Sequence, residues 1–302
     1  MEKIIVTGAT SFIGRHLIDK LLRNYEVIAI VRHNSSKINV LPKSDRLTIL
    51  ELDMGEYEKI SGTVKGNGDI FVHLAWNGTR GELRNKLEIQ EENFKNSMNA
   101  LKCAAELNVK AFISAGSQAE YGLWTKEYTL AETETAYPNT EYGKFKLKFC
   151  QEAGKFCKEK GIKFIEPRFF SLYGPDDFAG TMVISVLKKM LKGEDCDLTE
   201  GIQKWDFLYI DDAISGLELL MSSDVQGGVY NFGYGENFPL KSYIEIMKEL
   251  TGSKSKLNFG VVPYPSTGIV NVAPCVKKLK NLGWEPKIDF RRGILKVLEE
   301  FK

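Results

Sequence analysis

The sequence predicts an α/β fold: a doubly wound parallel sheet followed by a smaller α/β domain. Short β-branched runs recur through the first half, at Ile4-Ile5-Val6, Val27-Ile28-Ala29-Ile30-Val31, Leu47-Thr48-Ile49-Leu50, Ile70-Phe71-Val72, Phe112-Ile113 and Phe164-Ile165. They read as apolar on both faces, as strands covered by helices must be. Helix-length segments separate them, and two of these, about 84–107 and 142–160, repeat apolar residues at i, i+3 and i+4. The rhythm changes after Pro167, where the turn Gly174-Pro175-Asp176-Asp177 leads to a helical stretch near 183–191 and then to short strands and Pro-containing loops. At 302 residues the chain is long enough for a large core in one elaborated domain or two smaller ones.

Composition excludes several classes of function. With 41 basic and 40 acidic side chains the net charge is +1, so no overall field favours nucleic acid or an anionic membrane. Cys103, Cys150, Cys157, Cys196 and Cys275 show no C-x-x-C spacing and His16, His33 and His73 are scattered, which predicts neither a metal site nor a disulfide framework. No apolar run approaches the ~18 residues of a membrane span, and Met1-Glu2-Lys3 leads into a strand without a signal-peptide pattern. The expected location is the cytoplasm.

The first strand runs into Thr7-Gly8-Ala9-Thr10-Ser11-Phe12-Ile13-Gly14, a small-residue turn that opens a helix. Gly8 suits the tight turn, Gly14 lets the helix pack closely, and N–H groups from Thr10 to Gly14 are placed to meet a pyrophosphate. Ser11 stands where a second glycine is usual, and its hydroxyl offers a further donor. A glycine turn in any α/β protein is the alternative. The second strand ends Val31-Arg32-His33-Asn34-Ser35-Ser36-Lys37. Arg32 and Ser35, with no acid at the strand end, predict a pocket for the 2′-phosphate of NADP(H), although NAD(H) stays possible and a solvated basic loop is the alternative. Asp53, ending the third strand, either accepts from an adenine amino group or caps the next turn.

Tyr142 and Lys146 lie four apart at a predicted helix start and so share a face, while Ser117 follows a buried strand at the end where such sheets bind ligands. A phenol ionises near ~10, and bringing it to ~7 takes roughly 4 kcal/mol of preference for phenolate. A neighbouring ammonium is expected to supply it. In this reading Tyr142 transfers the proton, Lys146 favours its phenolate and reaches a ribose, and Ser117 orients the substrate oxygen. A surface tyrosine beside an unrelated lysine is the alternative.

These residues resemble the extended short-chain dehydrogenase/reductase group, the NAD(P)-dependent epimerase/dehydratase family. The resemblance rests on Thr7-Gly8 to Gly14, His73-Leu74-Ala75, Asn93, Ser117 with Tyr121-Gly122, Tyr142 with Lys146, Arg168 with Tyr173-Gly174-Pro175, Asp206-Phe207-Leu208-Tyr209-Ile210-Asp211-Asp212, Asn231-Phe232-Gly233 and Leu282-Gly283-Trp284-Glu285-Pro286. It implies a Rossmann domain of residues 1–167 plus about 205–232, and a substrate domain of about 168–204 plus 233–302. It also implies cofactor contacts at Met54, Leu74 and Ala75, substrate contacts at Gln118, Ser171 and Lys204, a nucleotide-diphosphate sugar as substrate, and a homodimer formed through the two long helices.

Within the resemblance, Ser117-Gln118-Ala119 differs from the Thr-Asp-Glu of sugar-nucleotide dehydratases, which argues against dehydration. Three further departures touch the diphosphate clamp: Ser171 replaces an Asn, Trp205 beside Lys204 replaces an Arg, and Pro263-Tyr264-Pro265-Ser266-Thr267 replaces P-x-R-P-G-D. Lys204, Arg80, Arg84 and Lys188 are candidates to rebuild that clamp, or else the substrate is not a nucleotide sugar. The expected activity is NADPH-dependent reduction of a 4-keto sugar nucleotide. A nucleotide-sugar 4-epimerase with retained cofactor and a non-catalytic NADP-binding sensor are the competing readings.

Overall fold

The structure, a computed structural model, describes residues 1–125, 128–266 and 268–302, so Thr267 of the altered clamp segment lies outside the described residues. The first half runs β1 (Lys3–Thr7), α1 (Phe12–Leu21), β2 (Glu26–Val31), β3 (Leu47–Glu51), α2 (Ile60–Thr63), β4 (Ile70–His73), α3 (Leu87–Glu106), β5 (Ala111–Ser114), β6 (Gly116–Ser117), α4 (Glu141–Lys160) and β7 (Lys163–Phe169). The second runs β8 (Ser171–Tyr173), α5 (Met182–Lys192), β9 (Cys196–Leu198), β10 (Lys204–Trp205), β11 (Phe207–Tyr209), α6 (Ile210–Leu220), β12 (Gly228–Phe232), β13 (Phe238–Pro239), α7 (Leu240–Thr251), β14 (Leu257–Phe259), α8 (Lys277–Lys280) and α9 (Phe290–Glu299). Two compact units result: Met1–Gly122, Glu134–Phe169 and Ile214–Tyr230 form the first, and Leu123–Thr133, Phe170–Ala213 and Asn231–Lys302 form the second.

The main sheet has the order β12-β7-β5-β4-β1-β2-β3, and β1 pairs in parallel with both β2 and β4. Winding proceeds outward in opposite directions from β1, so this is a doubly wound, Rossmann-like sheet whose switch point lies between the ends of β1 and β4. His73 joins these ends. It is fully buried, its Nδ1 lies 2.7 Å from Thr7 Oγ1, and its Nε2 lies 2.9 Å from Ser97 Oγ on α3. Burial drives its pKa down to about 3, so it is a neutral cross-link. Beside it Phe71 of β4 stacks on Phe112 of β5 at 5.2 Å, and Phe149 of α4 closes the cluster.

Two expectations need correction. β3 is not apolar on both faces: it forms the sheet edge, and Thr48 and Ile49 are exposed. The long helix expected from 84 starts at Leu87, because residues Gly81–Asn85 form a separate 3-10 turn. α4 keeps its expected extent, with the Thr140 hydroxyl accepting from Gly143 N–H at its start and Gly161 in the left-handed region at its end.

In the second unit Tyr173, Phe207, Tyr243 and Phe290 pack as one aromatic cluster, with ring centroids 4.6 to 6.0 Å apart. Trp284 Nε1 donates to Asp212 O at 3.0 Å. Among the described residues, no helix is long and apolar enough to cross a membrane.

Candidate active site

The loop after β1 is built for close backbone approach. Gly8 has φ +68°, and a Cβ there would lie 2.7 Å from the Ala75 nitrogen after β4. At Gly14 a Cβ would lie 2.3 Å from Gly8 O, so any side chain would push α1 off the turn. Ser11 needs no glycine freedom, since its φ is −72°; its hydroxyl caps α1 by accepting from Gly14 N–H at 3.1 Å. The first-turn N–H groups of Phe12 and Ile13 have no acceptor within the helix, and no acidic side chain stands in that turn. This cradle fits a pyrophosphate.

Past β2, an open cleft of about 510 Å³ is lined by Arg32, His33, Asn34, Ser35, Ser36, Lys37, Asp53, Met54, Gly55, Asn77 and Glu92. Arg32 forms no salt bridge among the described residues. Residues 31–37 themselves carry no acid, but carboxylates reach this loop from β3 and the turn after it. Glu51 accepts from Asn34 N–H at 2.9 Å, Asp53 accepts from His33 N–H at 3.2 Å, and Glu56 lies 2.8 Å from His33 Nε2. The register that pairs Val31 with Glu51 brings the end of β3 beside the loop. Asp53 also stands at the N-cap of the 3-10 turn Met54–Lys59, so the capping alternative describes its place.

The triad residues meet in the first unit. Tyr142 and Lys146 sit one turn apart on α4, 8% and 4% exposed. Ser117 ends β6 in an extended conformation, with its hydroxyl accepting from Ala119 N–H at 3.2 Å and lowering the pKa of the nearby Tyr142 phenol. The structure departs from the expectation that Lys146 acidifies the phenol. The ammonium donates to Ala115 O at 2.7 Å and lies 3.8 Å from the centre of the Trp76 ring. Burial comes first in raising the Tyr142 pKa, with the Ser117 hydroxyl opposing it. Burial likewise pushes Lys146 down to about 8. The Arg84 guanidinium lies over the phenol ring, 4.9 Å from its centre.

Trp76 is a site residue the sequence alone does not reveal, and Arg84, a candidate for the diphosphate clamp, lies over the Tyr142 ring. Trp76 meets Tyr142 edge-on at 6.3 Å and is held by Nε1–H donation to Gln90 Oε1 at 2.8 Å. Gln118 Oε1 is buried with no hydrogen-bond partner, as a substrate contact would require. Below the segment, Glu120, Glu166 and Cys150 bring potential ligand atoms within 4.8 Å of one another, but the Arg168 guanidinium supplies the positive charge there.

Within the second unit two altered clamp positions, Trp205 and Ser171, bond to each other, while Tyr264 and Lys204 bond to neighbouring residues. Trp205 Nε1 donates to Ser171 Oγ at 2.8 Å, Tyr264 Oη bonds Gln203 Oε1 at 2.7 Å, and Lys204 N–H donates to Asn271 at 2.9 Å.

A doubly wound sheet carrying a glycine cradle and a Ser-Tyr-Lys set defines a dinucleotide-dependent enzyme of the short-chain dehydrogenase/reductase type. The chain belongs to the NAD dependent epimerase/dehydratase family, whose model matches residues 4–233. Among its relatives is the CDP-abequose synthase of Salmonella muenchen, 31% identical over 98% of this chain and 97% of that protein. A putative UDP-glucose 4-epimerase of Methanocaldococcus jannaschii is 25% identical over 99% and 98%. The solved UDP-glucose 4-epimerase of Thermotoga maritima, with UDP-glucose, is 26% identical with a TM-score of 0.89, covering 99% of this chain and 98% of that one.

Proposed function

We propose that this protein is an NADPH-dependent reductase of a 4-keto sugar nucleotide. The observation that carries the reading is the setting of the phenol: Tyr142 is buried one turn from the buried Lys146, and burial raises its pKa. Reduction of a ketone needs an acid that keeps its proton at neutral pH and releases it to an alkoxide, a far stronger base than phenolate. Elimination of water needs a free acid, and Glu120, the acidic residue nearest after Ser117, is bound by Arg168 at 2.9 Å.

In this reading Gly8, Thr10, Ser11, Phe12, Ile13 and Gly14 hold the pyrophosphate, Arg32 and Ser35 the 2′-phosphate, and Asp53, Met54, Leu74 and Ala75 the adenosine and the sheet side. The nicotinamide, when bound, supplies the hydride. Ser117 and Gln118 orient the ketone, Tyr142 Oη gives its proton to the ketone oxygen, and Lys146 holds a ribose hydroxyl and steadies the charge that proton transfer leaves. Ser171 and Lys204 are the second unit's candidates for holding the diphosphate. The names CDP-abequose synthase and UDP-glucose 4-epimerase support a nucleotide-linked sugar as substrate.

Arg32→Ala is expected to weaken NADPH binding by about 1.5 to 3 kcal/mol, roughly 10- to 150-fold, with little change for NADH. Fluorescence titration of both dinucleotides checks this, and equal losses would contradict a 2′-phosphate role. A second reading, a 4-epimerase with tightly retained NAD, draws support from the carboxylates around the β2 loop, which suit ribose hydroxyls better than a phosphate. Such an enzyme would copurify with stoichiometric cofactor and consume none.

We also propose a homodimer through α3 and α4, where Phe94, Met98 and the stem of Lys148 line an open groove. Light scattering should give twice the mass of the chain; the mass of one chain would remove the proposal.

A further inference from the structure

Under the Ser117 segment lie two carboxyl groups and one guanidinium, with Glu120, Glu166 and Arg168 only 0%, 1% and 4% exposed. Arg168 Nε lies 3.0 Å from Glu120 Oε2 and 2.9 Å from Glu166 Oε1. One cation cannot compensate two carboxylates, and a dry interior makes the uncompensated one take up a proton. Oxygen atoms of the two carboxyls lie within 4.8 Å of each other, close enough for two negative charges to repel strongly in a buried cluster.

The cluster carries the site's backbone. β6 pairs with β7 so that Gly116 faces Arg168, and a Cβ on Gly116 would lie 2.7 Å from Glu166 Cγ. The strand therefore rests directly on the pair. From the next residue, Ser117 N–H donates to Glu120 Oε1 at 2.7 Å.

We propose that Glu120 and Glu166 are positioning residues that share one buried proton, fixing Ser117 from below and keeping the cluster electrically neutral toward Tyr142 and Lys146. The inference rests on the reading of Ser117 and Tyr142 as the reacting groups. Facing the pair are Tyr121, Tyr142, Lys146 and Cys150, the last three from α4, besides Arg168 of β7. The Arg168 guanidinium also sits 4.6 Å over the Tyr121 ring. The pair's negative charge opposes ionisation of Tyr142 and favours the charged form of Lys146. Loss of the shared proton therefore makes the phenol harder still to ionise.

Infrared spectra of the full chain at neutral pH, set against Glu166→Gln and Glu120→Gln, test this without substrate, so failure here is distinct from failure of the reductase assay. The wild-type protein should show a protonated carboxylic-acid carbonyl band that both isosteric variants lose. Once alkaline pH removes the shared proton, the wild-type pair carries two negative charges and the Glu166→Gln pair one, so Tyr142 in Glu166→Gln should ionise at lower pH than in the wild type, read as phenolate absorbance that Tyr142→Phe lacks. A band unchanged in both variants would mean two ionised carboxylates and would overturn the shared proton. A lost band with an unmoved Tyr142 titration would overturn the electrostatic role.

Discussion

Tyr142→Phe is expected to lower the rate of ketone reduction by about 10²- to 10⁴-fold while leaving dinucleotide affinity nearly unchanged. Phenylalanine keeps the ring that meets Trp76 and Arg84 and removes only the buried hydroxyl beside Ser117. Losing that hydroxyl costs about 1 kcal/mol of stability, too little to unfold a domain, so the effect should fall on kcat rather than on KM. The pH profile follows from the same groups. Tyr142 gives a proton and Lys146 must be charged, so reduction should be flat through neutrality and fall on the alkaline side. The first loss is expected near 8, where burial has placed the Lys146 ammonium, with the raised phenol following at higher pH. Stopped-flow reduction rates across pH check both parts; a profile falling toward acid instead would show that Tyr142 acts as a base.

Arg168→Met should be the most damaging single change to stability, at about 3 to 5 kcal/mol, because it removes the guanidinium that bonds both members of a buried carboxyl pair. The sign of its pH dependence is fixed. Burial already holds the Glu120 carboxyl well above the ordinary carboxylate range near 4.5, and without the guanidinium it rises further. The folded state then binds protons that the unfolded state has released, so the variant loses stability progressively as pH rises above about 4.5. Urea denaturation at acidic and at neutral pH measures this. A variant equally stable at both would mean that the carboxyls do not depend on Arg168.

Much of the fold is legible from local pattern. The β-branched runs that became β1, β2, β4, β5 and β7 differ little from their observed bounds, and Gly8 and Gly14 announce the turn. The spacing of Tyr142 and Lys146 places them one turn apart on α4 before any coordinates are known. What local pattern hides is which distant segments the sheet order brings together. Glu120 and Arg168 are 48 positions apart in sequence and meet only because β6 lies beside β7. The Trp76 ring reaches Lys146 because β4 and β5 are neighbours, and that contact, with burial, reverses the expected ordering of charges around the phenol. The carboxylates at the β2 loop were likewise hidden, since Glu51 arrives from the edge strand.

The central claim, net reduction with Tyr142 as proton donor, is tested most directly by isotope transfer. Purified protein would be given NADPH deuterated at the nicotinamide C4 together with a 4-keto nucleotide sugar, and the product examined by mass spectrometry and NMR. One deuterium should appear at C4 of the sugar for each NADPH consumed, with incorporation about 10²- to 10⁴-fold slower in Tyr142→Phe. Interconversion of two 4-hydroxy sugars with no NADPH consumed and no deuterium gained would contradict it.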